Sequence, residues 1–156
     1  MAVTSPEVKQ ALETIFAADS DIYQTRGFQR RIGYGNRPAL LIIDLANAWT
    51  RPGYAFTCDD MDTIIPTNQA LLKAARAKRI PIVYTSTAYQ DPKGEHADTG
   101  LWHHKIPVET LLEGSEEAAI DDRIAPQDGE KVIVKKRASA FHGTYLAGYL
   151  RAQRVD

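Results

Sequence analysis

Three short blocks of the chain are apolar at consecutive positions, and amphipathic stretches separate them. The first is residues 39–44, ALLIID, entered through Arg37-Pro38 and closed by Asp44. A run apolar on both faces reads as a buried parallel strand, and proline at strand entry is tolerated. Residues 62–79 follow at helical spacing, with Ile64, Ile65, Leu71, Leu72 and Ala75 on one side and Lys73, Arg76, Lys78 and Arg79 elsewhere. Residues 80–85, IPIVYT, form the second apolar block. A long loop over 88–106 leads to a short helical stretch near 107–120, broken at Gly114. Asp128-Gly129 is a turn, and residues 131–134 are the third strand, ending at Lys135. Residues 144–153 close the pattern as a helix capped by Thr144, with Leu146, Tyr149 and Leu150 at i, i+3 and i+4. Upstream, residues 6–18 are amphipathic, with Ser5 as N-cap and Pro6 in the first turn. Residues 19–36 show no clear period and read as an arm across the domain or a neighbouring subunit.

Alternating strands and helices predict an α/β fold: a doubly wound, Rossmann-like parallel sheet with flanking helices and right-handed crossovers. Residues 1–36 are then an N-terminal helix and arm, and residues 37–156 the first part of one α/β domain. In the doubly wound order the first strand is central, and its neighbour on the far side is a strand that this pattern does not reach. The expectation is a sheet truncated after its third strand and that strand's helix. The ALLIID edge would be unpaired, and residues 1–156 alone would be insoluble or molten until the C-terminal half of the domain joins them.

Composition narrows the function classes. The 156 residues suit one domain, and 44% hydrophobic with 25% charged residues is an ordinary globular balance. Nineteen basic against 20 acidic residues leave a net charge of −1, with no footprint for nucleic acid or an anionic membrane. No apolar run approaches the ~20 residues of a membrane helix. Glu7, Glu13 and Asp19 in the first twenty residues argue against a secretory signal, so a cytoplasmic protein is expected. One cysteine, Cys58, excludes an internal disulfide and any CxxC motif.

Ligands of parallel α/β sheets bind at the carboxyl ends of strands, where Asp44 and Lys135 stand. With one strand between theirs, the two backbones would be ~10 Å apart, a gap that a lysine stem can close. Such an ion pair would hold Asp44 ionised and oriented as a base. Cys58 lies between Thr57 and Asp59-Asp60, an acidic setting that disfavours a thiolate, so it reads as a structural thiol. His96, Asp98, His103 and His104 could be taken for metal ligands, but no i, i+4 histidine pair supports it. Neither a GxGxxG or P-loop pattern nor a GxSxG elbow is present.

Three stretches carry a family resemblance: RPALLIIDLANAWT, GLWHHKIPVETL and IDDRIAPQDGEKVIVKKRASAFHGTYL. They resemble the isochorismatase-like cysteine hydrolases, and among these the N-carbamoylsarcosine amidase group. The most specific part is K-x-R-A-S-A-F-x-G-T, from Lys135 to Thr144. The resemblance implies a catalytic Asp, Lys and Cys, of which Asp44 and Lys135 match the first two. The nucleophilic cysteine would follow the next strand, outside these residues. It also implies hydrolysis of a small C–N bond through a thioester, with ammonia released. The implied substrate is a small amide or carbamoyl acid such as N-carbamoylsarcosine, with maleamate as the close alternative. A non-catalytic binding or assembly fragment is the reading from a different class. Nicotinamidase-type relatives carry a metal on an Asp-x-His motif, but Thr87-Ala88-Tyr89-Gln90 stands at that place, so neither metal nor other cofactor is expected. Asn47 and Trp102 are candidate substrate-binding residues, or else packing. The N-terminal arm suggests a homo-oligomer.

Overall fold

The computed structural model describes residues 5–28, 30–91 and 99–156. They divide into one unit up to Tyr34 and another from Gly35 to Asp156.

The first unit is built on helix α1, Pro6–Thr25. Ser5 Oγ accepts the Val8 N–H at 3.4 Å, and Pro6 occupies the first turn, where a missing N–H costs nothing. The helix runs seven residues past the predicted end at 18. Ile22 and Tyr23 extend the apolar stripe begun by Val8, Leu12 and Ile15, and no breaker intervenes before Gly27. Gly27 takes the left-handed conformation (φ 78°), so the Phe28 N–H can fold back onto the Tyr23 carbonyl at 2.9 Å. The Phe28 ring then meets Tyr23 edge-on, with centroids 6.4 Å apart.

The second unit holds strands β1 (Leu40–Ile43), β2 (Ile82–Thr87) and β3 (Lys131–Lys135) in one parallel sheet of order β1-β2-β3. Helices α2 (Asn47–Thr50), α3 (Met61–Ala77) and α4 (Leu146–Ala152) complete it, with 3-10 turns at Gly100–His104, Val108–Thr110 and Asp122–Ile124. The fold is the expected α/β parallel sheet. Side-chain alternation gives the sheet two faces. On one, Ile42, Ile82 and Tyr84 pack against Ile65, Leu72 and Ala75 of α3. On the other, Val83 and Ile133 pack with Ala140 and with Leu146 of α4. Truncating a core side chain such as Leu72 to alanine costs about 2–5 kcal/mol in such a setting. Arg76 of α3 ties this face to the entry of β3 by donating to Glu130 at 2.7 Å and to the Tyr84 hydroxyl at 3.1 Å. Burial, helped by the Glu130 charge, pushes the Tyr84 hydroxyl up to about 12.

Three predicted elements are corrected. β2 begins at Ile82, because the Ile80 N–H still serves the end of α3 through the Ala75 carbonyl, and Pro81 has no N–H to give. Residues 107–120 form no α-helix beyond the short turn Val108–Thr110. Their backbone groups are spent elsewhere: the Tyr89 N–H bonds Leu111 O, and Asn47 and Ala48 donate to Ala119 O and Glu117 O. α4 begins at Leu146, whose N–H is accepted by Thr144 Oγ1 at 3.1 Å, so the hydroxyl acts from just outside the helix. Among the described residues no helix is long and apolar enough to cross a membrane.

Candidate active site

β1 delivers Asp44 to the carboxyl edge of the sheet. Strict alternation would send residue 44 to the α3 face beside Ile42. Asp44 instead takes a left-handed backbone (φ 56°), an uncommon conformation for a residue with a Cβ and one that collects at functional sites. The turn is held by the Asp44 N–H, which meets the Thr85 carbonyl at 3.1 Å and its hydroxyl at 3.2 Å. As a result the carboxylate lies with the side chains of the opposite face.

That face carries Thr85 and Thr87 of β2 and Lys135 of β3, which the register places in adjoining rows. Lys135 Nζ reaches across β2 to Asp44 Oδ2 at 2.8 Å and donates to Thr87 Oγ1 at 2.8 Å. Thr85 Oγ1 donates to Asp44 Oδ1 at 2.9 Å. Both carboxylate oxygens therefore have a donor, and each member of the ion pair has its own threonine. The Lys135 side chain is 4% exposed and that of Asp44 29%. A buried ammonium needs such a partner, since desolvating a lone charge is strongly unfavourable. Lys136, one residue on, turns the other way and binds the Ala88 carbonyl at 2.6 Å and the Glu113 carboxylate.

Asp44, Thr87 and Lys135 form the polar side of a cavity of about 250 Å³. Trp49, Phe56, Trp102, Ile106 and Leu111 form its apolar side, and Arg137 and Ala138 complete the lining. Trp49 stacks on Phe56 with centroids 4.8 Å apart. The volume is below the ~300–1,000 Å³ of sites for drug-sized ligands, so it suits a molecule of few atoms. Trp49 sits on α2, which is clamped by the wholly buried Asp121. Asp121 Oδ2 accepts from Thr50 Oγ1 at 2.5 Å and from Arg123 Nη2 at 2.6 Å, and Arg51 lies 3.3 Å from Oδ1. Burial by itself would raise the Asp121 carboxyl, but the Arg123 and Thr50 hydrogen bonds win and hold it at about 2.

The structure brings Asp44, Lys135 and Trp102 to one cavity. Asn47 is elsewhere: its Nδ2 donates to the Glu116 carbonyl at 2.9 Å, and it borders a separate hollow with Arg51, Tyr54 and Asp122. Cys58 is exposed and does not line the cavity; its N–H bonds the Trp49 carbonyl. His103 and His104 contact each other ring to ring, with centroids 3.9 Å apart, and are also off the cavity. His96 and Asp98 lie outside the described residues. Among the described residues no three His, Cys, Asp or Glu side chains stand together as metal ligands would. Sequence reasoning missed Thr85, Thr87, Trp49, Phe56 and Arg137. For the threonines the signal was slight, since the second apolar block runs on into Thr85-Ser86-Thr87 and nothing in that polar run singles out the two that face the site.

Residues 38–156 match the Isochorismatase domain family. The chain is 56% identical over 147 residues to N-carbamoylsarcosine amidase of Arthrobacter sp., covering 93% of this chain and 56% of that protein. It is 41% identical over 128 residues to maleamate amidohydrolase of Pseudomonas putida, covering 81% and 59%. Among solved structures, a cysteine hydrolase from Pseudomonas syringae superposes with a TM-score of 0.70 at 28% identity, over 77% of this chain and 56% of that one. The chain thus spans less than three-fifths of the length of each of these relatives.

Proposed function

Because the chain belongs to the isochorismatase family, we propose that it supplies the Asp–Lys part of a cysteine amidohydrolase site acting on a short carbamoyl or amide acid. The observation that carries this reading is the Asp44–Lys135 pair lining a small cavity at the sheet's carboxyl edge. An oriented carboxylate of this kind is suited to take the proton of a thiol. Cys58 is exposed and off the cavity, so in this reading the thiol is one that is not among the residues lining it here. Asp44 accepts the thiol proton while the Lys135 ammonium balances the charges of carboxylate and thiolate. The thiolate attacks the carbamoyl or amide carbon, and backbone N–H groups near the nucleophile stabilise the oxyanion. The C–N bond breaks as the proton held by Asp44 passes to the leaving nitrogen, and ammonia departs. Water then hydrolyses the thioester and restores the thiol.

Three features support a short acid as substrate. The cavity is small, Trp102 and its apolar neighbours suit a methyl or methylene group, and Arg137 gives the lining a second cation beside Lys135. A bond from Arg137 Nη1 to the Lys136 carbonyl, at 2.8 Å, fixes the guanidinium plane. N-carbamoylsarcosine is the first choice, in keeping with the 56% identity to an amidase bearing that name, and maleamate is the second. The test is ammonia release by the protein that contains this chain. It should turn over one of these acids in preference to an uncharged amide of the same length, and Arg137→Met should erase most of that preference by raising KM. Absence of ammonia release from every short amide would sink the proposal.

A further inference from the structure

Thr85 and Thr87 stand two residues apart on one face of β2, the first against Asp44 and the second against Lys135. Their hydroxyls are used differently. Thr85 is buried and saturated: its O–H donates to Asp44 Oδ1 at 2.9 Å, and its oxygen accepts the Asp44 N–H at 3.2 Å. Thr87 Oγ1 accepts from Lys135 Nζ at 2.8 Å. An ammonium has only hydrogens to give, so the Thr87 proton takes no part in that bond. Among the described residues no acceptor meets it. Thr87 is half-buried and lines the cavity, whereas Thr85 does not. The remaining O–H is therefore available to whatever enters the cavity.

Two features fix what it serves. Accepting from an ammonium polarises the hydroxyl and strengthens it as a donor. Two contacts of 2.8 Å, meeting at Lys135 Nζ, link Thr87 Oγ1 to Asp44 Oδ2. Asp44 is the group that hands a proton to the leaving nitrogen, so the attacked carbon and its oxygen lie at this end of the cavity. Resting on the amidohydrolase reading above, we propose that Thr87 is a catalytic residue whose O–H donates to the carbonyl oxygen of the scissile carbamoyl or amide group. As the thiolate adds to the carbon, the C=O π pair moves onto that oxygen. A polarised donor already in place stabilises this charge more than it stabilises the neutral carbonyl.

The test compares the protein that contains this chain with its Thr87→Val and Thr87→Ser variants. Each is assayed on whichever of N-carbamoylsarcosine and maleamate is hydrolysed, and on the matching thio compound. There sulfur, a weak acceptor, replaces the scissile carbonyl oxygen. Valine keeps the shape of threonine without the hydroxyl. It should lower kcat on the oxygen substrate about 100-fold, with KM nearly unchanged and the circular dichroism intact. On the sulfur substrate the same substitution should cost less than about fivefold, because little hydrogen bond is left to lose. Thr87→Ser retains the O–H and should stay within about fivefold of the unsubstituted protein on both. An equal loss on the two substrates would assign the hydroxyl to anchoring Lys135 alone and overturn the proposal. So would a valine variant within about threefold of the unsubstituted protein, or a serine variant as slow as valine. An unsubstituted protein that releases no ammonia from either acid would instead overturn the amidohydrolase reading itself, and this proposal with it.

Discussion

Lys135 keeps its Nζ away from water because Asp44 and Thr87 accept from it at 2.8 Å each. Lys135→Ala removes the group that fixes Asp44 Oδ2 and, in the proposed mechanism, the cation that balances the thiolate. We expect turnover to fall to background while the helical circular dichroism persists, since Thr85 still holds the other oxygen. Near-normal activity in that variant would show that the pair is structural. Cys58 makes the opposite case. It is exposed, does not line the cavity and stands beside Asp59 and Asp60. Cys58→Ser should keep full ammonia release, and a well-folded but inactive Cys58→Ser protein would return the nucleophile to this thiol.

Helix α2 is only four residues long and depends on its clamp. Asp121 titrates at about 2 in the fold against 3.8 when free, so its hydrogen bonds favour the charged form. A depressed carboxyl contributes its stability in full above pH 4 and loses it as the pH falls from about 4 to about 2. The contribution is about 2 kcal/mol. Asp121→Asn should therefore lower the melting temperature at neutral pH and flatten the loss of stability between pH 4 and 2, read by thermal melts across that range. An unchanged acid limb would contradict the assigned cause. Legibility at this scale followed local chemistry. ALLIID and KVIVK were readable as strands because their apolar runs leave no other home. The start of β2 was not readable, because Ile80 is as apolar as Ile82 and only the hydrogen bond to Ala75 assigns it to the helix end. The stretch 107–120 misled because its apolar spacing is helical while its backbone bonds go to Tyr89, Asn47 and Ala48, partners far away in the chain. Asp44 and Lys135 were visible as charges closing apolar runs. The threonines between them were not, because their role exists only once β2 lies between β1 and β3.

At the scale of the molecule, the described sheet places Asp44 at the end of an edge strand. β1 pairs only with β2 among the described residues, and Ile43 is 62% exposed at its end. Phe141 and Tyr145, just before α4, are exposed as well. An apolar edge of this kind templates association of chains. Residues 1–156 produced alone should bind a hydrophobic dye and aggregate on warming, and a sharp, reversible, dye-free melt would contradict that. The same position leaves the Asp44 carboxylate beside an edge at which a further parallel strand could bring a thiol to the cavity. The most direct test is the rate of ammonia release from N-carbamoylsarcosine or maleamate by Asp44→Asn in the protein that contains this chain. The amide keeps the shape and the Thr85 hydrogen bond but cannot take a thiol proton. The expected result is a loss of at least about 10³-fold in kcat with an unchanged fold, within the range seen when a general base is removed. A kcat within a few-fold of the unsubstituted protein would contradict the role assigned to Asp44 and the Asp–Lys reading with it.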